Sequence, residues 1–325
     1  MTPTREELLR LVEGPPKGLW ELLERAHRLR EARFGRAVRL CSIVPGKLGG
    51  CGGDCRWCAQ SRHVSAGGLE EAKRTDPEEI VRQARAAAAL GSVNIGIVNS
   101  GLRPTRRDID DVIRSAEAIT QATDGKIGVC ASLGELSVEQ ARRLADSPIR
   151  RYHHNLETSR RFFPSMVSTH TYESKLKTLQ AAQSAGLAVC CGALFGLGET
   201  WEDRLDLAVT LRDEIQPDVV PLNFLVPIAQ TPLANQTPLK PLEILAIIAV
   251  FRLILPDADI KVAGGRETNL RFMQSWIFYA GATSCMIGNY LTTAGREPRE
   301  DLQMLRDLGM EITRDFLVNW LTEMK

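Results

Sequence analysis

The chain has 325 residues, 44% of them hydrophobic and 25% charged, with 41 Lys plus Arg against 40 Asp plus Glu. A net charge of +1 leaves no electrostatic footprint for nucleic acid or an anionic membrane surface. The longest apolar stretch, Ile244 to Leu255, is interrupted by Arg252 and is too short to span a bilayer. Eight cysteines with no apolar signal core in MTPTREELLR read as reduced thiols or metal ligands, and the expected location is the cytoplasm.

Residues 5 to 33 carry helical periodicity, with Leu8, Leu9 and Val12, then Leu19, Leu22, Leu23 and Ala26 on apolar faces, split by the breaker Gly14-Pro15-Pro16. Strand-like segments follow at 37–44, 92–98, 126–131, 152–156, 187–195, 219–225, 260–263 and 282–287. Helical patterns fill the spaces at 77–90, 107–122, 137–145, 172–185, 201–214, 241–255 and 269–279. Asp76 before Pro77 reads as an N-cap with proline at the first helical position, and Gly91 and Gly186 read as C-terminal caps. Eight strands each followed by a helical segment predict an α/β fold, a TIM-type (β/α)8 barrel with an N-terminal helical cap. No linker rich in Gly, Ser or Pro divides the chain, so 1–325 reads as one domain, with the cap over 1–36 and the barrel and C-terminal elements over 37–312.

Directly after the first strand come Cys51, Cys55 and Cys58, spaced C-x3-C-x2-C. A structural zinc site takes four protein ligands, and no matching fourth is evident nearby. Three thiolates on a cubane iron–sulfur cluster leave one iron open to bind and polarise a small molecule. In a barrel, active residues gather at the C-terminal ends of the strands, which is where this loop falls. No histidine is assigned to a metal: His153 and His154 are strand neighbours and point apart.

The spacing, with Trp57 before the third cysteine, resembles the radical S-adenosylmethionine (SAM) enzymes. The segments GGCGGDCRWCAQS (49–61), HNLETS (154–159), TPL (231–233), VAGGRE (262–267) and GNYLTTAGRE (288–297) resemble the biotin synthases within that class, in order along most of the chain. The resemblance implies a radical SAM sulfurtransferase that inserts sulfur into dethiobiotin to form biotin, with a [4Fe-4S] cluster, SAM and an auxiliary [2Fe-2S] or variant iron–sulfur cluster as cofactors. It implies that Cys51, Cys55 and Cys58 hold the SAM cluster. Gly192, Gly196 and Glu199 would line the SAM adenine, Asn155 and Glu157 would contact substrate and SAM ribose, Lys175 the SAM carboxylate, and Asn223 the ureido ring. Hydrogen abstraction by a carbon radical calls for no conventional acid or base, so no catalytic residue is assigned. A flavodoxin or ferredoxin as electron donor and a homodimer are the partners expected.

For the auxiliary cluster the resemblance implies Cys130, Cys190 and Arg266. The remaining cysteine of the family pattern falls in NIGIVNSG, where this chain has Gly96, which cannot ligate iron. Three readings stand open. Cys41, Cys191 or Cys285 substitutes, although strand alternation counts against Cys191 if Cys190 points inward. The cluster is of another type, completed by an added sulfide or small thiol. Or it is absent, and the protein abstracts hydrogen from another substrate without sulfur insertion. A non-catalytic iron–sulfur or zinc-binding protein is the alternative from a different class.

Overall fold

In the computed structural model, which describes residues 3–14, 16–64, 72–291 and 295–313, eight parallel strands close into a barrel. They are β1 (Ala37–Leu48), β2 (Ser92–Asn99), β3 (Gly128–Ser132), β4 (Ile149–His153), β5 in two pieces (Ala188–Cys190 and Ala193–Phe195), β6 (Val219–Phe224), β7 (Asp259–Val262) and β8 (Ser284–Met286). Each pairs with the next in chain order. Closure runs through Arg39↔Ser284, Leu40↔Cys285 and Cys41↔Met286 between β1 and β8. The pattern of alternating segments therefore resolves as a closed barrel rather than an open sheet.

Outside the strands lie α3 (Pro77–Ala89), α4 (Arg106–Ala122), α5 (Val138–Ala145), α6 (Tyr172–Ser184), α7 (Trp201–Thr210) and α8 (Pro241–Ile254), preceded by the cap helices α1 (Arg5–Glu13) and α2 (Pro16–Phe34). Their starts are written locally. Asp76 accepts from the Glu78 amide at 2.8 Å, and reciprocal capping boxes open four helices through Thr105 and Asp108, Ser137 and Gln140, Thr171 and Ser174, and Thr200 and Asp203. Each such cap contributes about 1 kcal/mol. The helix α8 is buried along nearly its whole length because α2 packs on the side away from the barrel, which explains its apolar character on all faces. Its buried charge, Arg252, donates to the carbonyls of Gly281 (2.8 Å), Leu255 (3.1 Å) and Pro256 (3.0 Å) and stacks on Phe34.

Three segments differ from the sequence pattern. The fourth strand begins at Ile149 and ends at His153, earlier than 152–156, because Arg150 and Arg151 mask its start as polar. The fifth is interrupted at Cys191-Gly192, where a Cβ on Gly192 would sit 2.0 Å from the Pro221 carbonyl oxygen, so only glycine lets the two backbones approach. The single helix expected over 269–279 is two short ones, α9 (Arg266–Leu270) and α10 (Trp276–Tyr279), divided by Arg271 at φ +52°. A further helix, α11 (Pro298–Asp307), follows β8. Residues 292–294 of the 288–297 motif lie outside the described residues.

Candidate active site

The barrel holds a cavity of about 360 Å³ that opens at the C-terminal ends of the strands. Trp57 and Gln60 of the cysteine loop line its mouth, together with Asn155, Glu157, Asn223 and Tyr290. Cys41, Cys130, Arg151, Cys190 and Lys261 line it deeper down, from the inward positions of five strands.

The cysteine loop is shaped by its own backbone. The Cys51 amide donates to the Gln60 carbonyl at 3.0 Å, the Arg62 amide returns to the Cys51 carbonyl at 2.9 Å, and the Cys58 amide donates to the Cys55 carbonyl at 3.0 Å. The Gly53 amide donates to Cys51 Sγ at 3.4 Å, and a Cβ on Gly53 would lie 3.5 Å from Cys51 Sγ and 3.7 Å from Cys55 Sγ. A side chain there would fill the space that the two sulfurs face. Burial, reinforced by the neighbouring Cys58, pushes the Cys55 thiol up to about 12, and burial raises Cys58 as well. Such thiols ionise when iron replaces the proton. Among the described residues no three His, Cys, Asp or Glu side chains converge as ligands of one metal ion would. A cubane does not ask for that, since each thiolate binds a separate iron. The donor set and the cradle at Gly53 therefore fit a cluster and not a single ion.

Asp54, inside this loop, fastens it to the segment before α6. Its carboxylate accepts from the amides of Ser168 (3.0 Å) and Thr169 (3.1 Å) and from both hydroxyls. Burial opposes ionisation, but the hydrogen bonds from Ser168 and Thr169 outweigh it and hold the carboxyl below its ordinary range.

The remaining expected residues divide by what their side chains face. Glu157 is at the mouth, held at φ +73° and bridged to Ala193 by backbone pairing. Burial raises its carboxyl above the usual value. A non-glycine residue in that conformation, at the rim of a cavity, marks a position where geometry is held against local preference. Asn155 Oδ1 accepts from the Gly192 amide at 3.0 Å, and its amide nitrogen lies 3.4 Å from Glu157 Oε2. Lys175 is buried rather than solvated, with its ammonium 6.0 Å from the Phe163 ring centroid. Asn223 spans the gap between strands, donating to the Ala193 carbonyl at 3.0 Å and accepting from the Gly264 amide at 2.9 Å. One N–H and one lone pair of its amide stay available to the cavity. Glu199 is turned inward on its own loop: it accepts from the Gly196 and Leu197 amides and pairs with Arg204 at 2.9 Å. Gly192, Gly196 and Glu199 therefore shape the strand-to-helix turn beside the cavity, and none of the three lines it.

Deeper in the cavity the expected ligands part company. Cys130 and Cys190 point inward, as does Cys41. Cys191 packs in the apolar layer outside the strands, as alternation predicts, and Cys285 is buried there too. Gly96 lines the cavity in register with Cys130, which is in register with Arg151. Arg266 requires a correction. Its guanidinium is fully buried away from the cavity, paired with Asp301 and donating to Gln274 Oε1 at 3.0 Å and the Met286 carbonyl at 3.3 Å. The buried carboxylate of Asp301 takes the charge that was expected to meet a cluster, and Glu267, Tyr290 and Arg296 extend the same network through the 262–267 and 288–297 segments.

The cation among the thiols is instead Lys261. Its Nζ lies 3.6 Å from Cys41 Sγ and 3.7 Å from Cys190 Sγ. Arg151 places Nη1 3.9 Å from Cys130 Sγ, and its Nε has no partner. His153 Nδ1 is 3.2 Å from Cys190 Sγ, and burial pushes that imidazole down to about 4, so it is neutral. Burial pushes the Cys130 thiol up to about 11. The sequence held one signal for this group that the pattern reading passed over: an inward-facing Arg and an inward-facing Lys in short strands of a parallel barrel, where apolar residues are the rule.

Comparison with known proteins agrees with this geometry. The family model for the Radical SAM superfamily matches residues 47–211, and that for the Biotin and Thiamin Synthesis associated domain matches residues 221–311. A biotin synthase of Nitratidesulfovibrio vulgaris (strain Miyazaki F) is 46% identical, over 96% of this chain and 87% of its own length. One from Geobacter sulfurreducens is 49% identical, over 88% of this chain and 86% of its own length. Among solved structures, a methylornithine synthase superposes with a TM-score of 0.81 at 19% identity, covering 97% of this chain and 95% of its own. A maturase of the [FeFe]-hydrogenase superposes at 0.80 and 18%, covering 96% and 76%. These last two carry the fold alone.

Proposed function

The chain belongs to the biotin synthase family of radical SAM enzymes, and from that premise we propose that it inserts sulfur into dethiobiotin to form biotin, using SAM and two iron–sulfur clusters in one barrel. The observation that carries the sulfur half of this reading is the group of three thiols and two buried cations deep in the cavity whose mouth is lined by the cysteine loop. A barrel interior keeps Arg and Lys only where an anionic group meets them.

When bound, the SAM cluster supplies an adenosyl radical and the auxiliary cluster supplies the sulfur atom. Cys51, Cys55 and Cys58 hold the first, with the Gly53 amide steadying Cys51 and Asp54 fixing the loop. Lys175 and Glu157 bring one charge of each sign to the SAM side, the carboxylate suited to ribose hydroxyls. Asn155 and the free half of the Asn223 amide meet the donors and acceptors of a cyclic urea. Cys41, Cys130 and Cys190 hold the auxiliary cluster, with Cys41 taking over from the cysteine missing at Gly96. Whether that cluster is [2Fe-2S] or a larger variant follows from iron and sulfide counts. Enclosure by the barrel wall keeps the radical away from C–H bonds other than those of the held substrate.

From the family resemblance come a flavodoxin or ferredoxin donor, a homodimer and a cytoplasmic location. No helix among the described residues is long and apolar enough to cross a membrane. The test is anaerobic turnover of reconstituted protein with SAM, dethiobiotin and a strong reductant. Biotin together with 5′-deoxyadenosine is the result expected; 5′-deoxyadenosine alone would favour the paralogue that abstracts hydrogen without sulfur transfer.

A further inference from the structure

The cavity floor carries more positive charge than its neighbours can balance. Arg151 and Lys261 are both buried, on β4 and β7. Among the described residues neither has a carboxylate within ion-pair distance. The nearby acids are engaged elsewhere: Asp259 pairs with Arg39 at 2.9 Å and accepts from Thr283 at 2.7 Å, and Asp218 accepts from the Val189 amide at 2.7 Å. What the two cations do face is sulfur, and between them they reach all three thiols: Lys261 spans Cys41 and Cys190, and Arg151 meets Cys130.

Burying a lone cation costs several kcal/mol, on the order of what a whole domain has to spare, unless an anion sits against it. Neutral thiols do not meet that demand, and thiolates bridged by iron and sulfide do. Gly96 fits the same picture. A Cβ there would meet only Ile43 Cγ2, at 3.4 Å, so the glycine leaves open room beside Cys130 where a side chain could otherwise stand.

We propose that Lys261 and Arg151 are positioning residues for the auxiliary cluster, a pair of fixed cations that hold its negative charge at the barrel floor. The proposal rests on the reading that an auxiliary cluster is bound there. Lysine at this place supplies charge through three donors without the planar fork of arginine, so its task is electrostatic retention across two sulfurs. Two consequences of opposite sign follow. Replacing either cation by an isosteric apolar residue weakens cluster retention and moves the cluster's reduction potential to more negative values, because the reduced, more anionic form loses its counter-charge. The same replacement raises the thermal stability of the iron-free protein, because an uncompensated buried charge is removed.

The experiment uses the full chain with Cys51, Cys55 and Cys58 replaced by alanine, so that iron and sulfide report on the floor alone. Ferrous iron and sulfide are the probes, added anaerobically. Lys261→Met and Arg151→Met are compared with Lys261→Arg and Arg151→Lys by iron and sulfide content, rate of iron loss to a chelator, redox titration followed by EPR, and melting temperature without iron. The result expected is iron loss at least tenfold faster and a more negative potential in the Met variants, recovery in the charge-preserving ones, and a raised iron-free melting temperature in Lys261→Met. Unchanged retention and potential in the Met variants, with the background protein fully loaded, would overturn the role of the cations. A background protein that takes up no iron and sulfide at all would instead overturn the auxiliary-cluster reading beneath it. If a Met variant fails to fold, Lys261→Gln carries the same comparison.

Discussion

At the scale of single residues, three cysteines that composition cannot tell apart have two different surroundings. Cys41 faces the cavity and the Lys261 ammonium, whereas Cys191 and Cys285 lie in the packed apolar layer. Cys41→Ala is therefore expected to cut biotin formation at least tenfold while 5′-deoxyadenosine formation persists, and Cys191→Ala and Cys285→Ala are expected to leave both products near wild type, read by mass spectrometry after one turnover. Arg266 belongs to stability instead. Removing it leaves the buried Asp301 with Arg296 as its one remaining cation, so Arg266→Met is expected to cost about 2 to 3 kcal/mol in chemical denaturation. Equal stability in that variant would show that the Asp301 pair is not what holds the segment. Much of the mouth was legible in residue type and order, because Cys51, Cys55, Cys58, Asn155 and Glu157 sit in long motifs. The floor was not. Arg266 was implied by the family's arginine ligand matched at the AGGRE motif, while Lys261, on the strand before it, is the cation that faces the cavity. Motif order points to a segment, and only strand facing decides which side chain in it reaches the site.

At the scale of elements, the cysteine loop is a surface loop made rigid by one carboxylate. Asp54 gathers donors from Ser168 and Thr169 and so couples the loop to the approach of α6, the helix that carries Lys175. Asp54→Ala is expected to cost about 2 kcal/mol of local stability and to speed loss of SAM-cluster iron several-fold, without changing iron bound at the floor. Differential chelation of the two clusters checks it. A second tie joins β1 to α4. Asp108 is buried at 1% exposure and accepts from Lys47 and Arg74 as well as from its own capping partner Thr105. Burial alone would raise its carboxyl, but those hydrogen bonds win and lower it from 3.8 to about 2. Because the folded value is depressed, this contribution is complete above pH 3.8 and is lost as pH falls toward 2. Asp108→Asn is expected to cost about 2 kcal/mol at neutral pH, with the difference from wild type shrinking through that window. A difference that stays constant with pH would rule out the charge as its source. The helix start at Asp76 was readable because a capping residue followed by proline is a local signal. The start of β4 was not, since Arg150 and Arg151 look like a polar turn until a floor exists for one of them to face.

At the scale of the molecule, the barrel sets two groups of three thiols at two depths of one end. The loop after β1 carries three thiols and lines the mouth through Trp57 and Gln60, and the inward faces of β1, β3 and β5 bring three more thiols to the floor. The alternation of strands and helices was enough to expect this barrel, and the apolar α8 under the cap was visible as the longest hydrophobic run. Closure between β1 and β8 was not readable, because Cα register across the seam is a property of all eight strands together. The central claim is that sulfur leaves the floor of this cavity for the substrate. The measurement that tests it most directly is a single anaerobic turnover of protein reconstituted with isotopically heavy sulfide, in unlabelled buffer, followed by mass spectrometry of the biotin formed. Biotin carrying the heavy sulfur, and missing from Cys41→Ala although 5′-deoxyadenosine is still made, is the result predicted. Biotin with light sulfur, or 5′-deoxyadenosine without any biotin from the intact protein, would contradict it.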